Sequence, residues 1–121
     1  MILQRSELLL PPIADIACAP RCLVLFELCE HALFEIEREL AARPGASATR
    51  IVPVLGSVAD ARLVRAVLAA NAVELVLHAA AYKHVPIVEA NAVVGVANNV
   101  TGTLRTAEAA ISADVKDFVL I

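Results

Sequence analysis

Three cysteines and a histidine crowd one short stretch of this sequence: Cys18, Cys22, Cys29 and His31, spaced C-x3-C-x6-C-x-H. These are metal-ligating types, and a tetrahedral zinc site takes four such groups. The spacing lacks the C-x2-C knuckle, and Cys22 opens an apolar run, so the thiols read as buried or incidental and no metal is expected. An odd cysteine count with no pairing framework fits a reducing compartment. A second chemical feature is a carboxylate, Glu27, directly behind the apolar run CLVLF. A third is AAAYKHVP, in which the small residues Ala79, Ala80 and Ala81 run on into Lys83 and His84.

Such groups act only where a frame holds them. The run 22–26 reads as a strand buried on both faces. Glu30–Arg43 carries Leu33, Ile36 and Leu40 at helical spacing, with Glu39 and Arg43 four apart in the favourable order and Pro44-Gly45 as the stop. Ile51–Leu55 is a second strand, ended by Gly56-Ser57. Asp60 is placed to cap a helix over Ala61–Ala70, whose core side is Leu63, Val64, Val67 and Leu68. Glu74–His78 is a third strand, and Pro86 opens a short turn or helix. Asn91–Ala113 reads as helical but weak in its first half, because Gly95 costs roughly 1 kcal/mol relative to Ala and three valines are β-branched. Phe118–Ile121 is a fourth strand. Alternating strands and helices predict an α/β domain with a parallel sheet. Ligands of such sheets gather at the carboxyl ends of the strands, which here are Glu27, Gly56-Ser57-Val58 and Ala79-Ala80-Ala81.

Composition narrows the classes. The chain has 121 residues, 60% hydrophobic and 3% aromatic, with a net charge of −3. So apolar a chain is not a disordered tail. A mildly acidic chain without a Lys/Arg cluster or aromatic stacking platforms is not expected to bind nucleic acid. Charge, Pro or Asn cuts every long apolar stretch, so no membrane span is expected. Glu7, Pro11-Pro12 and Asp15 spoil a faintly signal-like start, and the expected location is the cytoplasm.

Five segments are then recognisable together: LVLFELCEHALFEIERELAAR, IVPVLGSVAD, LVLHAAAYKHVPIVEAN, NNVTGT and KDFVLI. They resemble the CapD-like polysaccharide-biosynthesis family of nucleotide-sugar 4,6-dehydratases and epimerases, which are extended short-chain dehydrogenase/reductases. The resemblance divides the chain into a divergent segment, 1–21, and a partial NAD(P)-binding Rossmann domain, 22–121. It implies NAD as cofactor and a UDP-sugar as substrate. Glu27 stands where the family's acidic residue binds the adenosine ribose; a carboxylate accepts from both ribose hydroxyls and repels a 2′-phosphate, favouring NAD over NADP. The bland alternative is an acidic residue at a strand end facing solvent. Ser57 and Val58 match the turn that contacts adenine, although many relatives carry Asp where Ser57 stands. Ala79, Ala80 and Ala81 match the small-residue loop over pyrophosphate and ribose, and tight helix–sheet packing explains them equally. Lys83 and His84 fall near the family's sugar-nucleotide pocket, where Lys83 would meet a diphosphate as a point charge; the rival is a solvated Lys and a structural His. Asn99 matches an Asn that braces the active-site loop, and intact relatives are often membrane-anchored on the cytoplasmic face.

Two of the family's blocks find no match. Its glycine-rich turn, GxxGxxG, cradles the pyrophosphate with backbone N–H groups, and residues 1–21 hold no glycine. Its Ser-Thr-Asp-Lys segment would follow a strand resembling DFVLI, so no catalytic residue is assigned. In the sheet order 3-2-1-4-5 the unmatched first strand is the middle one, and its loss would leave unpaired edges open to a second copy of the chain. A helix-ending Gly of the family is Asp114 here. The expectation is an incomplete Rossmann-like sheet with helices on both faces, inactive alone. The alternative is a non-catalytic module that binds a nucleotide or a partner.

Overall fold

The computed structural model describes residues 20–43 and 48–121. Cys18 and the Pro44-Gly45 stop lie outside them, as does nearly all of segment 1–21. The elements run β1 (Cys22–Glu27), α1 (Glu30–Ala41), β2 (Arg50–Leu55), α2 (Ala61–Ala70), β3 (Leu75–His78), α3 (Val85–Ala90), α4 (Ala92–Val96), a π-helical turn (Ala97–Gly102), α5 (Thr103–Ser112) and β4 (Asp117–Leu120). From α4 through α5 the backbone stays helical, so these three form one long helix.

The strands form two parallel pairs, β1 with β2 and β3 with β4. Among the described residues, β1 and β3 each keep one edge without a strand neighbour. The two pairs nevertheless share a core. Val24 and Phe26 of β1 pack in one cluster with Val64, Val67 and Leu68 of α2, Val76 of β3 and Ala109 and Ala110 of α5. Leu23 and Leu25 point to the other face, where α1 lays down Leu33, Ile36 and Leu40, and Leu77 of β3 joins them. β1 is therefore buried on both faces, as its unbroken apolar run requires. The result is an incomplete Rossmann-like α/β fold with helices on both faces.

Local sequence explains the ends. Asp60 Oδ1 accepts from the N–H groups of Arg62 and Leu63 (3.1 Å each), satisfying two orphan donors of α2. Both α2 and α5 close with the 6→1 bond of a Schellman motif, Val73 N–H to Leu68 C=O and Val115 N–H to Ala110 C=O. The residues in the left-handed position are Ala72 (φ 46°) and Asp114 (φ 53°), where glycine is usual. The expected Glu39–Arg43 pair gives way to Arg38–Glu35 (2.8 Å), because α1 ends at Ala41 and Arg43 lies past the helical spacing.

The long helix has two unlike faces. Gly95, Asn98, Gly102, Thr106, Ala109 and Ala110 are buried against the domain. Val93, Val96, Val100, Leu104 and Ile111 lie exposed on the opposite side, Val93 at 84% and Ile111 at 78%. The mid-helix glycines serve close approach: a Cβ on Gly95 would sit 2.7 Å from Val88 Cγ1, and one on Gly102 would sit 2.9 Å from Val58 Cγ2.

Candidate functional site

Glu27 ends β1 with only 3% exposure. Its Oε1 accepts from the N–H groups of Leu28 (2.8 Å) and Cys29 (2.9 Å), ahead of α1. That is a built site for a carboxylate, since two charge-assisted bonds offset its burial. Its C=O accepts from Gly56 N–H (2.9 Å), which brings the turn after β2 beside it. In that turn Ser57 Oγ accepts from Ala59 N–H at 3.2 Å. Val58 is 1% exposed, and its side chain belongs to the core cluster against Gly102. What Val58 offers a ligand is backbone.

The second group gathers at the carboxyl end of β3. Ala79 and Ala80 are buried and Ala81 half-buried. Asn98 Nδ2 donates to Ala80 C=O (2.5 Å) and to Asn99 Oδ1 (3.0 Å). Asn99 makes two bonds to one residue: its Oδ1 accepts from Tyr82 N–H (2.8 Å), and its Nδ2 donates to Tyr82 C=O (3.1 Å). Both asparagines sit in the π-helical turn, a distortion that recurs at functional sites. They clasp the loop like an extra strand, reading its backbone rather than its side chains. Beyond the clasp Lys83 and His84 are exposed. His84 C=O accepts from Ile87 and Val88 N–H (3.0 Å each), starting α3. Tyr82, Lys83 and His84 line a cavity of about 270 Å³ together with Ile87, Val88 and Gly95.

The structure thus joins Glu27 with the Ser57-Val58 turn, and it sets Asn99 on Tyr82, next to Ala79–Ala81, which Asn98 holds at Ala80. The Val58–Gly102 contact links the two groups. The sequence reading passed over Asn98, the deeper half of the clasp, although the doubled Asn was a visible signal. It also passed over His78, whose Nε2 lies 2.8 Å from Thr103 Oγ1. Burial alone lowers the His78 pKa below the ordinary imidazole value. Among the described residues no group of three or more His, Cys, Asp and Glu converges as a metal site.

Two parallel strand pairs with an acid at the end of one strand and a clasped small-residue loop at the end of another define part of a Rossmann-like α/β fold. The chain belongs to the polysaccharide biosynthesis protein family, whose model matches residues 11–121. It is 38% identical over 103 residues to the uncharacterized membrane protein MJ1061 of Methanocaldococcus jannaschii, covering 84% of this chain and 28% of that one. It is 33% identical over 102 residues to the capsular polysaccharide biosynthesis protein CapD of Staphylococcus aureus, covering 84% of this chain and 17% of that protein. Among solved structures it resembles the dTDP-glucose 4,6-dehydratase DesIV of Streptomyces venezuelae, determined with NAD bound, with a TM-score of 0.66 and 25% identity over 81% of this chain and 29% of that one. The chain therefore spans under a third of these relatives, and what it resembles is a fragment of a nucleotide-sugar dehydratase or epimerase. Among the described residues no helix is long and apolar enough to cross a membrane.

Proposed function

We propose that this chain is a nucleotide-binding element of an NAD-dependent nucleotide-sugar dehydratase or epimerase of surface-polysaccharide synthesis, inactive by itself. The observation that supports it most is the clasp of Asn98 and Asn99 on the Ala80–Tyr82 backbone, which presents Lys83 and His84 beyond the carboxyl end of β3. In this reading Glu27 accepts from the hydroxyls of an adenosine ribose. Ser57 and the Val58 backbone flank the adenine. Ala79, Ala80 and Ala81 let the ligand lie close to the chain, and Asn99 fixes their loop. Lys83 meets the diphosphate of a UDP-sugar and His84 its sugar side. NAD, when bound, would supply the hydride acceptor; the residues named here bind and orient, and none is assigned to break a bond. The fit is uneven. The adenosine end finds a carboxylate, whereas residues 1–21 hold no glycine to match the family's glycine-rich turn. A diphosphate gains no glycine cradle from those residues. The thiols of Cys22 and Cys29, free among the described residues, agree with a cytoplasmic location.

Calorimetry with adenosine, NAD and a UDP-sugar tests this. Adenosine and NAD are expected to bind alike, within about threefold, because the diphosphate adds little without its cradle. The UDP-sugar is expected to bind without turnover. A NAD affinity tenfold above adenosine, or formation of a 4-keto-6-deoxy sugar, overturns the reading.

A partner-binding reading draws on a different observation, the edges of β1 and β3 that have no strand neighbour among the described residues. Such edges template strand addition, and a second copy carries the same edges. Sedimentation showing a monomer at every concentration would remove it.

A further inference from the structure

His78 is the last residue of β3 and 3% exposed, yet the roles assigned above leave its imidazole unused. Nε2 meets Thr103 Oγ1 at 2.8 Å, at the first residue of α5. The ring lies against Phe118 of β4, with centroids 5.7 Å apart. The His78 C=O accepts from Ile121 N–H at 3.0 Å. One residue thus ties β3, β4 and the long helix together, and the next residue in the chain begins the clasped loop. The clasping asparagines occupy the π-helical turn that leads directly into Thr103. Loop and helix are held at two adjacent points, by amides at Asn98 and Asn99 and by an imidazole at Thr103.

We propose that His78 is a positioning residue: neutral, it pins the start of α5 to the carboxyl end of β3, and protonated, it releases that pin and loosens the Asn98–Asn99 clasp on the loop. The hydroxyl of Thr103 serves either neutral tautomer, because it both donates and accepts. An imidazolium needs more, since a buried charge without an anion is costly. Among the described residues, the charged groups on the surrounding elements do not supply one. Arg105 and Glu108 of α5 are paired with each other at the surface, and Glu74 before β3 is paired with Lys116 before β4. Asp117 of β4 is exposed. Glu27 of β1 is held by two N–H groups of its own turn. Burial is accordingly the force acting on the His78 proton. Taking up a proton drives the ring toward water and away from Thr103. The inference concerns the loop to which the proposed function gives its ligand contacts, so its importance rests on that reading. Its test needs no ligand, and the two fail separately.

The test is NMR on the full, isotope-labelled chain between about pH 8 and pH 5. The His78 ring nitrogens, the Asn98 and Asn99 side-chain amides and the hydrogen exchange of Tyr82 N–H are followed together. The expected result is one shared midpoint, with Tyr82 protection falling about tenfold as His78 charges, the weight of one lost hydrogen bond. His78→Gln keeps a polar group for Thr103 without a titration, and its Tyr82 protection should stay at the neutral-pH level throughout. Tyr82 protection that ignores the His78 titration, or that still falls in His78→Gln, overturns the proposal. Should His78→Gln not fold, Thr103→Val replaces it: at neutral pH it should already lose about tenfold of Tyr82 protection, and wild-type protection there overturns the proposal.

Discussion

The two halves of the broken sheet are built by different means. In the β1–β2 half, position follows from packing. Val24 and Phe26 fill one face and Leu23 and Leu25 the other, and the Glu27 carboxylate is anchored to its own turn. In the β3–β4 half, position follows from side-chain ties across long stretches of sequence. Asn98 reaches Ala80, Asn99 reaches Tyr82 and His78 reaches Thr103. That half also carries both left-handed residues, Ala72 and Asp114, and the π-helical turn. Packing tolerates little change in volume but ignores pH. Polar ties respond to protons and to single-atom changes, and they hold the half that carries the exposed Lys83 and His84.

The sharpest test of the contrast is a core truncation. Phe26→Ala empties a fully buried position in the shared core and should cost about 3–5 kcal/mol. Small domains hold only about 5–15 kcal/mol, so urea unfolding should show the midpoint lowered by a large share of its wild-type value. A loss under about 1 kcal/mol would mean that packing does not govern this half. Next in size is Glu27→Ala, which strands the N–H groups of Leu28 and Cys29 and should cost about 1–3 kcal/mol by the same measurement.

The β3–β4 half should answer to pH instead. Burial holds the His78 pKa below its unfolded value, so the unfolded chain takes up this proton first as pH falls. Its contribution is complete above about pH 6.5 and declines below, by at most about 1.4 kcal/mol per pH unit, until the depressed folded pKa is reached. Unfolding midpoints of wild type and His78→Gln should therefore converge on acidification through that window. Parallel midpoints would remove His78 from the account. Asn99→Ala is expected to cost less, about 1 kcal/mol, since its bonds lie near the surface, while Tyr82 N–H exchange rises.

The sequence was most legible where position comes from packing. CLVLF announced a doubly buried strand, Leu33, Ile36 and Leu40 announced one face of α1, and Asp60 announced the start of α2. Their signals are local or periodic, and burial acts on them directly. The long helix was legible as a helix but not in its orientation. It buries glycine, alanine, Asn98 and Thr106 and turns its large valines, Leu104 and Ile111 outward, the reverse of the usual amphipathic rule. The π-helical turn left no mark in the residue pattern. Asn98–Ala80 and His78–Thr103 join positions 18 and 25 residues apart, and no period connects them. Glu27 and Asn99 were picked out by resemblance; their backbone partners came from the structure.

The smallest effect should have the opposite sign. Ala72 and Asp114 both close a helix in the left-handed conformation, which costs an L-residue roughly 1–2 kcal/mol. Glycine relieves that strain but brings its own entropic cost of about 0.5–1 kcal/mol. The difference leaves Ala72→Gly stabilising by roughly 0.5 kcal/mol, measured as a raised urea midpoint at unchanged slope. Asp114→Gly should gain less, because a short polar side chain tolerates this conformation better than alanine does. A larger gain at Asp114 would mean that its side chain does not ease the left-handed turn. The β3–β4 half would then hold more relievable strain before β4 than before β3.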